Sequence, residues 1–431
     1  MKKAYIFAII ALLWWNFSFA QTIQINKGVL ICNNEVFKIH DDKTNIYDLL
    51  AEKRNENMFF GANEENYSFL DTCHLTYVLN FEVDKALLKK DIIRLKFDYI
   101  DTYAKIILNG KEVAITKNAF RSYEFDVKKF LKKGKNELIV EIEPIYQKWQ
   151  AVNSDEFNIL HSEKRAVFRK AAFQFGWDWA PRQLAGEISF PVYLTFEDKK
   201  EYLRFASVQT EAISEDKANM LLTLKSEFLK DEKYSIKLAY STSDNETTTL
   251  DLGDLSLENS KDNISLFRFN VENPQLWFPN GYGNPTLYEA TIYLYNKESI
   301  CLDSVKTRFG IRTIELSQKK DKYGSEFCFI VNGKPIFAKG ANLVPSAMHK
   351  ERYEGMAKHI DLVKECNMNM LRVWGGGYYV DEQMYEACDE KGILIWQDFP
   401  FACALYPATK DYLAEVEAEA RQNVLRISSH P

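Results

Sequence analysis

The sequence predicts a multidomain protein in which two antiparallel β-sandwiches are followed by alternating strands and helices. The chain of 431 residues is too long for one hydrophobic core and predicts two or three domains of about 100 to 200 residues each. Two successive blocks alternate apolar and polar residues with the period of a strand, and after about Leu316 strand patterns alternate with helical ones. That change of period marks the passage from antiparallel sheets to βα units.

The composition is that of a globular protein with an acidic balance. Hydrophobic residues make up 46% and charged residues 27%, with a formal net charge of -6 and a pI near 5.7. A protein with this net charge lacks an overall positive electrostatic potential, which disfavours nucleic acid and anionic membrane surfaces as partners. Aromatic residues make up 14%. Their rings suit the core of a β-sandwich as well as a surface on which sugars stack, so composition leaves both interpretations open.

The first twenty residues have the pattern of a secretory signal peptide. Lys2 and Lys3 precede an apolar stretch from Ala4 to Trp15, and Ser18-Phe19-Ala20 is a small-x-small cleavage site before Gln21. A membrane anchor is the alternative, but the stretch is short for spanning and no stop-transfer pattern follows. We therefore predict export across the inner membrane to the periplasm or the exterior, without membrane contact after cleavage.

The seven cysteines are widely scattered and lack the C-x-x-C spacing of a zinc site or a redox motif. Their odd number and wide spacing predict mostly buried thiols rather than a disulfide framework. No spacing in the sequence suggests a metal or an organic cofactor.

From Cys73 to Pro144 the chain predicts antiparallel strands. Apolar residues alternate over residues 74–83, 92–100 and 104–108. Asn109-Gly110 separates the apolar runs 106–108 and 113–115, and Asn-Gly readily adopts the positive φ angles of a tight hairpin turn. This block is therefore expected to form an antiparallel sheet with a hairpin at Asn109.

A second strand-rich block runs from about Val208 to Glu315. Strands are expected at residues 220–224, 234–240, 267–271 and 290–295, with the spacing of an immunoglobulin-like sandwich. The polar run from Ser241 to Thr249 indicates a solvated hairpin tip. The loop containing Pro274, Trp277 and Pro279 is interpreted as a packing corner.

After Leu316 the pattern predicts three βα units. Strands are expected at residues 337–343, 370–374 and 393–396, and helices at 352–366, 382–391 and 411–427. Strands that are apolar on both faces and alternate with helices indicate a parallel sheet covered by helices. Three strands do not close an eight-stranded barrel. We therefore expect the strand at Ile393 to be an open apolar edge and the end at Pro431 to be artificial.

Charged and aromatic residues follow the predicted carboxyl ends of these strands, where the functional residues of βα folds converge. They are Arg372, Trp374, Trp396 and Asp398, and Gly375–Gly377 follows Trp374. The charged groups would bind a polar ligand, the indoles would stack on it, and the glycines would let the backbone approach it. The alternative is that the tryptophans cap the core and Arg372 simply pairs with Asp398.

Three segments resemble glycoside hydrolase family 2. The segment from Asp98 through Asn109-Gly110 to Phe120, continued by Gly134–Leu138, is similar to the jelly-roll sugar-binding domain of this family. Residues 175–182, Phe-Gly-Trp-Asp-Trp-Ala-Pro-Arg, resemble the loop that its β-mannosidases send from that domain into the active-site pocket. Residues 332–342 resemble the entry to the catalytic TIM barrel. The order and spacing of the segments fit over nearly the whole mature chain.

The segment Arg372-Val373-Trp374 with its three glycines, together with residues 396–403, is similar to the β-mannosidase branch rather than to the galactosidase or glucuronidase branches. The resemblance implies an exo-acting retaining β-mannosidase that removes terminal non-reducing β-D-mannose from manno-oligosaccharides or glycans. For Trp179, Arg182 and Arg169 we expect a structural role, because a loop that leaves its domain needs anchoring. The residues implied as substrate contacts are Trp177, Asp178, Arg372 and Trp374, with Trp396 and Asp398 as supporting residues.

The mechanism implied by the resemblance needs two carboxylates. In a retaining glycosidase, one protonates the leaving oxygen, while the other, about 5 to 5.5 Å away, attacks the anomeric carbon. The resemblance places both glutamates beyond Pro431, so no catalytic residue is assigned within the chain. The helix before Pro431 contains Glu415, Glu417 and Glu419, which we interpret as a solvated face.

The sequence thus predicts a signal peptide at residues 1–20, a jelly-roll domain at 21–205, an immunoglobulin-like sandwich at 206–316 and an incomplete TIM barrel at 317–431. Two alternatives stay open. One is a non-catalytic carbohydrate-binding protein that retains the jelly roll and the pocket wall. The other is a related exo-β-glycosidase that acts on glucosaminides or glucosides. The sequence does not determine the oligomeric state.

Overall fold

The structure is a computed structural model that describes residues 21–40, 43–198, 201–227, 229, 233–242, 246–255, 263–345, 348 and 356–431. The predicted signal peptide at residues 1–20 lies outside these residues. Three regions follow one another along the chain: a large β-sandwich, a smaller β-sandwich, and a region that contains a parallel sheet with helices.

The first region consists of a four-stranded sheet, a six-stranded sheet and a short two-stranded ribbon. The strand orders are β1-β12-β5-β9, β3-β2-β4-β10-β7-β8 and β11-β6, and the pairings are antiparallel. The strands are β1 (Gln21–Ile25), β2 (Gly28–Cys32), β3 (Glu35–Lys38), β4 (Leu75–Val83), β5 (Ile92–Phe97), β6 (Ile100–Asp101), β7 (Ala104–Leu108), β8 (Lys111–Thr116), β9 (Tyr123–Asp126), β10 (Gly134–Ile142), β11 (Glu187–Ile188) and β12 (Val192–Glu197). Three helices accompany them: α1 (Ile46–Arg54), α2 (Ile145–Ala151) and α3 (Ser154–Phe157).

The core of this sandwich lies between the inner faces of its two large sheets. Leu79 and Leu138 from one sheet and Leu95 and Leu194 from the other are all 0% exposed. Their positions follow the alternation of the sequence, because successive side chains of a strand point to opposite faces. The hairpin prediction is confirmed: Asn109 and Gly110 have φ angles of 51° and 77°, and β7 pairs with β8.

The second region is a seven-stranded sandwich with the sheets β13-β14-β17 and β16-β15-β18-β19. Its strands contain the four predicted segments. The predicted boundary between residues 205 and 206 falls within β13. Of the predicted hairpin tip, residues 243–245 lie outside the described residues. The strands are β13 (Tyr202–Ile213), β14 (Lys217–Glu227), β15 (Tyr234–Ser241), β16 (Thr248–Leu255), β17 (Ile264–Glu272), β18 (Tyr288–Asn296) and β19 (Cys301–Phe309).

The third region begins with a small antiparallel sheet and continues with a parallel sheet of order β23-β24-β25. Within the described residues, β25 has no strand beside it other than β24. The small sheet consists of β20 (Ile314–Ser317), β21 (Cys328–Val331) and β22 (Lys334–Ile336). The parallel part consists of β23 (Gly340–Leu343), α4 (Ile360–Glu365), β24 (Met370–Val373), α5 (Glu382–Lys391), β25 (Leu394–Gln397) and α6 (Lys410–Ile427).

The second and third βα units agree with the sequence pattern, and the first is shorter than predicted. Helix α5 has the predicted bounds, because Asp381 accepts a hydrogen bond from the Met384 N–H and Gly392 ends the helix with a φ of 72°. The first strand begins at Gly340 rather than at Phe337, which is 76% exposed. In place of the long first helix, the described residues contain a 3₁₀ turn at 356–359 and then α4, and residues 351–355 lie outside them.

The packing corner predicted around Trp277 joins the second and third regions. Trp277 is 1% exposed, packs with Met370 and Leu394, and donates its indole N–H to the Asp389 carbonyl at 2.8 Å. The side chain of Asn369 makes a connection within the third region. It accepts from the Lys339 N–H at 2.8 Å and so fixes the start of β23 beside β24.

No helix in the described part of the chain combines the length and the apolar character needed to cross a membrane. The seven cysteines are free thiols, of which Cys32, Cys73 and Cys388 are buried. Cys366 and Cys403 are exposed, so the prediction of mostly buried thiols holds only in part.

Candidate functional site

A loop of the first sandwich extends onto the carboxyl edge of the parallel sheet. The Phe173 N–H donates to the Gly376 carbonyl at 3.2 Å, and the Gln174 amide donates to the Met348 carbonyl at 3.2 Å. A tight turn follows, in which Trp177 and Ala180 exchange backbone hydrogen bonds of 3.0 and 3.3 Å. The turn presents the side chain of Asp178 to solvent. The sandwich therefore contributes residues to the edge at which βα folds bind ligands.

The structure brings Trp177 and Trp374 together, although 196 positions separate them in the sequence. Their rings meet edge to face with centroids 5.0 Å apart and an angle of 66°. Trp179 also contacts Trp374, at 6.3 Å, and stacks on Phe173 at 5.4 Å. Trp179 is nevertheless 42% exposed. The three indoles form a continuous aromatic wall between the loop and the end of β24.

Arg372 and Asp398 form a two-pronged ion pair next to this wall. The Arg372 Nε and Nη2 donate to the two Asp398 oxygens at 3.2 and 2.5 Å. Asp398 also accepts from the Gly375 N–H at 3.1 Å, and Arg372 Nη1 donates to Asn342 Oδ1 at 3.2 Å. Pairing of Arg372 with Asp398 was the alternative to ligand binding in the sequence analysis. The side chain of Arg372 is nevertheless 40% exposed. The guanidinium is thus oriented without being enclosed.

The register of the parallel sheet places Asn342, Arg372 and Trp396 side by side. Asn342 lies opposite Arg372, and Arg372 lies opposite Trp396. Neighbouring residues in register on parallel strands point to the same face, so the three side chains form a row. Trp396 stacks on Phe327 at 5.9 Å and meets Phe329 edge to face at 5.8 Å. Trp396 is 40% exposed and belongs to a separate aromatic group from Trp374.

The three glycines after Trp374 serve the packing of the protein itself. A Cβ on Gly375 would lie 2.5 Å from the Phe399 carbonyl oxygen, and one on Gly376 would lie 1.9 Å from the Trp374 ring. A Cβ on Gly377 would lie 2.7 Å from Pro345. Close packing of this segment against its neighbours is therefore sufficient to require glycine at these positions, and approach of the backbone to a ligand stays a prediction.

Asp178 occupies the exposed rim of the site. Among the described residues it forms neither a hydrogen bond nor an ion pair. A cavity of 370 Å³ opens beside it. The cavity is lined by Trp149, Ser162, Arg165, Phe175, Gly176, Trp177 and Asp178.

The sequence reasoning missed Asn342, Arg165, Ser162 and Trp149 as site residues. Only Asn342 had a usable signal, because it lies at the end of the first parallel strand as Arg372 lies near the end of the second. The other three come from α2 and the following 3₁₀ segment of the sandwich. Nothing in their local sequence indicates proximity to the loop at Trp177.

Anchoring of the loop depends on a residue for which the expectation was wrong. Glu419 was expected on a solvated face, but it is 1% exposed and its side chain pairs with Arg169. The Arg169 Nε and Nη2 donate to the two Glu419 oxygens at 2.9 and 2.7 Å. Asn118 donates to Glu419 at 3.1 Å. Of the other two glutamates, Glu417 is exposed and Glu415 is partly buried beside Arg121.

Two tyrosines complete this cluster. The Tyr379 hydroxyl donates to Glu419 at 3.3 Å, and burial followed by the nearby Glu419 charge raises the pKa of Tyr379 far above its ordinary value. Burial raises the pKa of Tyr412 to about 12, and its hydroxyl accepts from Arg169 Nη1 at 3.2 Å. Both phenols therefore stay protonated at neutral pH. Arg182 anchors the far end of the loop through Asp71 at 2.6 Å, which agrees with the structural role expected for it.

In the portion of the chain that the structure describes, no group of three or more His, Cys, Asp or Glu side chains could hold a metal ion. The chemical capacity of the site is instead that of an aromatic wall with an oriented guanidinium and carboxylates, which is suited to a neutral ligand rich in hydroxyl groups.

Comparison with known proteins agrees with this architecture. A family model described as glycosyl hydrolase 2 galactose-binding domain-like matches residues 15–186, and one described as glycosyl hydrolases family 2 matches residues 202–312. The chain belongs to glycoside hydrolase family 2. In this family 2 chain, the first matched segment covers the first sandwich up to the residue before β11, and the second covers the strands of the second sandwich. The candidate site lies where the first sandwich meets the parallel sheet.

Two relatives of this family 2 chain are fungal. It is 33% identical over 413 residues to β-mannosidase B of Aspergillus flavus, an alignment that covers 89% of this chain and 46% of the relative. It is 32% identical over 410 residues to β-mannosidase B of Emericella nidulans, with coverage of 89% and 46%. The chain thus spans less than half the length of these relatives.

Solved structures show the same fold. A β-D-mannosidase from Dictyoglomus thermophilum matches with a TM-score of 0.84 and 31% identity, covering 95% of this chain and 51% of that one. An exo-chitosanase from Amycolatopsis orientalis matches with a TM-score of 0.68 at 16% identity, covering 95% and 48%. Because the exo-chitosanase is only 16% identical to this chain, its similarity concerns the fold alone.

Proposed function

We propose that the chain provides the sugar-binding wall of an exo-acting retaining β-mannosidase that removes terminal non-reducing β-D-mannose from manno-oligosaccharides or glycans. The observation that carries the proposal is the meeting of Trp177 with Trp374 beside the ion pair of Arg372 and Asp398. Resemblance to β-mannosidases at 31 to 33% identity supports mannose as the sugar.

Each residue has a defined part in the proposal. Trp177 and Trp374 present apolar ring surface to the C–H faces of the terminal sugar. Asp178, which makes no competing ion pair among the described residues, accepts hydrogen bonds from sugar hydroxyls. Arg372 donates to a sugar oxygen from a guanidinium held in place by Asn342 and Asp398. Asp398 and Trp396 support the site without needing to touch the sugar.

Hydrolysis of the glycosidic bond needs catalytic carboxylates in addition to this sugar-binding wall. We propose that the parallel strands β23, β24 and β25 belong to a TIM barrel, and that the acid/base and nucleophilic glutamates implied by the family lie outside residues 1–431. A retaining mechanism then uses two carboxylates about 5 to 5.5 Å apart. Residues 1–431 bind and orient the terminal mannose, and the remainder of the barrel cleaves the bond.

The proposal is tested with the protein expressed from its complete coding sequence and a panel of nitrophenyl β-glycosides. The mannoside is expected to be hydrolysed with a kcat/KM at least about 100-fold above those of the glucoside, galactoside and glucosaminide, because pocket groups pair with a specific set of hydroxyls. Residues 1–431 alone are expected to hydrolyse none of them. Preference for another glycoside, or turnover by residues 1–431, would contradict the proposal.

We also propose that the protein is exported and cleaved before Gln21. The basis is the sequence pattern of residues 1–20, with its lysines, apolar stretch and small-x-small site. The amino terminus of the protein recovered from the periplasm or medium of its host is expected at Gln21. Recovery in the cytoplasm with Met1 or Lys2 at the amino terminus would reject export.

A further inference from the structure

A cavity of the first sandwich adjoins Trp177 and Asp178. It shares Trp177 and Asp178 with the candidate site, while its other walls come from α2 and from the 3₁₀ segment at His161–Val167. Its volume of 370 Å³ falls within the range of about 300 to 1,000 Å³ that is typical of small-molecule sites. The cavity therefore has room for a ligand group next to the terminal-sugar position.

Arg165 is the main polar group of the cavity. Its guanidinium lies over the Trp177 ring at 5.3 Å. Its Nη2 donates to the Ala402 and Cys403 carbonyls at 3.1 and 3.0 Å, which holds the side chain against the segment after Asp398. Its Nε is buried and has no hydrogen-bond partner among the residues that the structure describes. A buried donor without a partner is costly, and a bound acceptor would remove that cost.

The other walls define the chemistry of an occupant. Trp149 meets Phe175 edge to face at 5.3 Å and gives an apolar surface. Ser162 contributes a hydroxyl at the exposed rim. Asp178 shares the cavity with Arg165, so the opposite charges of these two lining groups favour neither an anionic nor a cationic ligand. An aromatic face, a guanidinium and a carboxylate together suit a neutral pyranose.

We propose that this cavity is a subsite for the sugar residue next to the terminal mannose, and that Arg165 determines its specificity by donating to a hydroxyl oxygen of that sugar. The inference rests on the proposed β-mannosidase activity and extends it to the leaving group. The enzyme therefore recognises two consecutive sugars, the terminal mannose that it releases and the sugar next to it, rather than accepting any aglycone on the terminal mannose.

The test compares two substrates with the same terminal mannose, using the enzyme expressed from its complete coding sequence. A β-linked mannobiose has hydroxyls for Arg165, and nitrophenyl β-mannoside has none on its leaving group. For Arg165→Gln, kcat/KM on mannobiose is expected to fall roughly 10- to 50-fold, and on the nitrophenyl substrate no more than about 3-fold. Lys164→Gln is the matched control, since Lys164 donates to the Gln150 carbonyl and does not line the cavity. Lys164→Gln should leave kcat/KM unchanged on both mannobiose and nitrophenyl β-mannoside.

Three outcomes decide the proposal. A selective loss on mannobiose supports it. Equal losses on both substrates would show that Arg165 only supports Trp177 and would overturn the subsite, while leaving the proposed β-mannosidase activity intact. Failure of the unaltered enzyme to hydrolyse either mannoside would reject the proposed function, and the subsite with it.

A second variant tests the same subsite in case Arg165→Gln does not fold. Ser162 is exposed at the rim, so Ser162→Trp fills the cavity without disturbing a core. Compared with methyl β-mannoside, whose leaving group does not reach the cavity, the mannobiose kcat/KM should fall about 10-fold further. An equal effect on the two substrates would count against the subsite.

Discussion

Two arginine–carboxylate pairs at the meeting of the sandwich and the parallel sheet have similar geometry and very different surroundings. In both, Nε and Nη2 of the arginine face the two oxygens of one carboxylate. The side chains of Arg169 and Glu419 are 3% and 1% exposed. Those of Arg372 and Asp398 are 40% and 15% exposed. An arginine and a carboxylate thus form one enclosed pair and one open pair.

The surroundings determine what each pair does. The remaining Arg169 nitrogen donates to the Pro400 carbonyl and the Tyr412 hydroxyl, and the guanidinium lies 4.9 and 4.7 Å from the Phe120 and Phe401 rings. Every direction around Arg169 is therefore occupied by protein. Among the described residues, Arg372 makes one further hydrogen bond, to Asn342, and its side chain is 40% exposed. The first pair joins the first region of the chain to the third, and the second stays open to solvent.

The largest expected effect comes from breaking the enclosed pair. Glu419→Ala leaves Arg169 buried without its counter-charge, so the free energy of unfolding should fall by about 3 to 5 kcal/mol. The measurement is the midpoint of urea unfolding. Glu417→Ala, on the exposed face of the same helix, is the matched control and should change stability by less than about 0.5 kcal/mol. Similar losses in the two variants would contradict the assignment of a joining role.

Breaking the open pair of Arg372 and Asp398 should reduce activity strongly and stability only slightly. Arg372→Met in the complete enzyme is expected to lower kcat/KM on nitrophenyl β-mannoside by roughly 100-fold, because a charge-assisted hydrogen bond to the sugar is lost. Stability should change by only about 1 kcal/mol, as solvent already screens the pair. A large stability loss with little loss of activity would make Arg372 a structural residue like Arg169.

Asp178 extends the comparison to a carboxylate that makes no ion pair among the described residues. Asp178→Ala should lower kcat/KM by roughly 50-fold, because hydroxyl groups of the sugar lose an acceptor, while the midpoint of thermal unfolding stays within about 2 °C. Glu156→Ala, an exposed carboxylate outside the cavity, serves as the control. A parallel collapse of thermal stability would show that Asp178 is structural.

The smallest effect is expected at His430, whose side chain has an intermediate exposure of 13%. Burial alone would lower its pKa, but hydrogen bonds of 2.6 Å to Asp389 and 2.9 Å to Glu382 outweigh burial and raise the pKa to about 9. The stabilisation by charged His430 is complete below its ordinary pKa of 6.5 and is lost as the pH rises through about 9.

Urea unfolding at pH 7 and pH 10 measures this contribution. Between the two values, the unaltered protein should lose about 1 to 2 kcal/mol more stability than His430→Gln, which has no imidazole to titrate. The variant comparison removes the contributions of other groups, including Arg426, which also pairs with Glu382. Identical pH dependence in both proteins would show that His430 is not charged in the folded state.

Local pattern predicted most of the elements whose ends are fixed by local interactions. The bounds of α5 follow from Asp381 and Gly392, and the turn of β7 into β8 follows from Asn109-Gly110. The first βα unit was predicted less well, because the apolar character of Phe337 suggests a strand although the structure leaves this residue exposed. Burial of Phe337 would depend on partners distant in the sequence, which a local pattern does not specify.

The sequence pattern by itself determined the two sandwiches, the three parallel strands and the positions of Arg372, Trp374, Trp396 and Asp398 near strand ends, while the loop position of Trp177 and Asp178 came from the family resemblance. Alternation and turn chemistry are short-range properties, so they can be inferred without knowledge of the fold. Only the tertiary structure decided which of these residues meet. It placed Trp177 on Trp374, moved Glu419 from an expected surface into an enclosed ion pair, and brought Arg165 beside Asp178. These contacts depend on how a loop of one domain packs on the sheet edge of another, and that packing arises from many long-range interactions together.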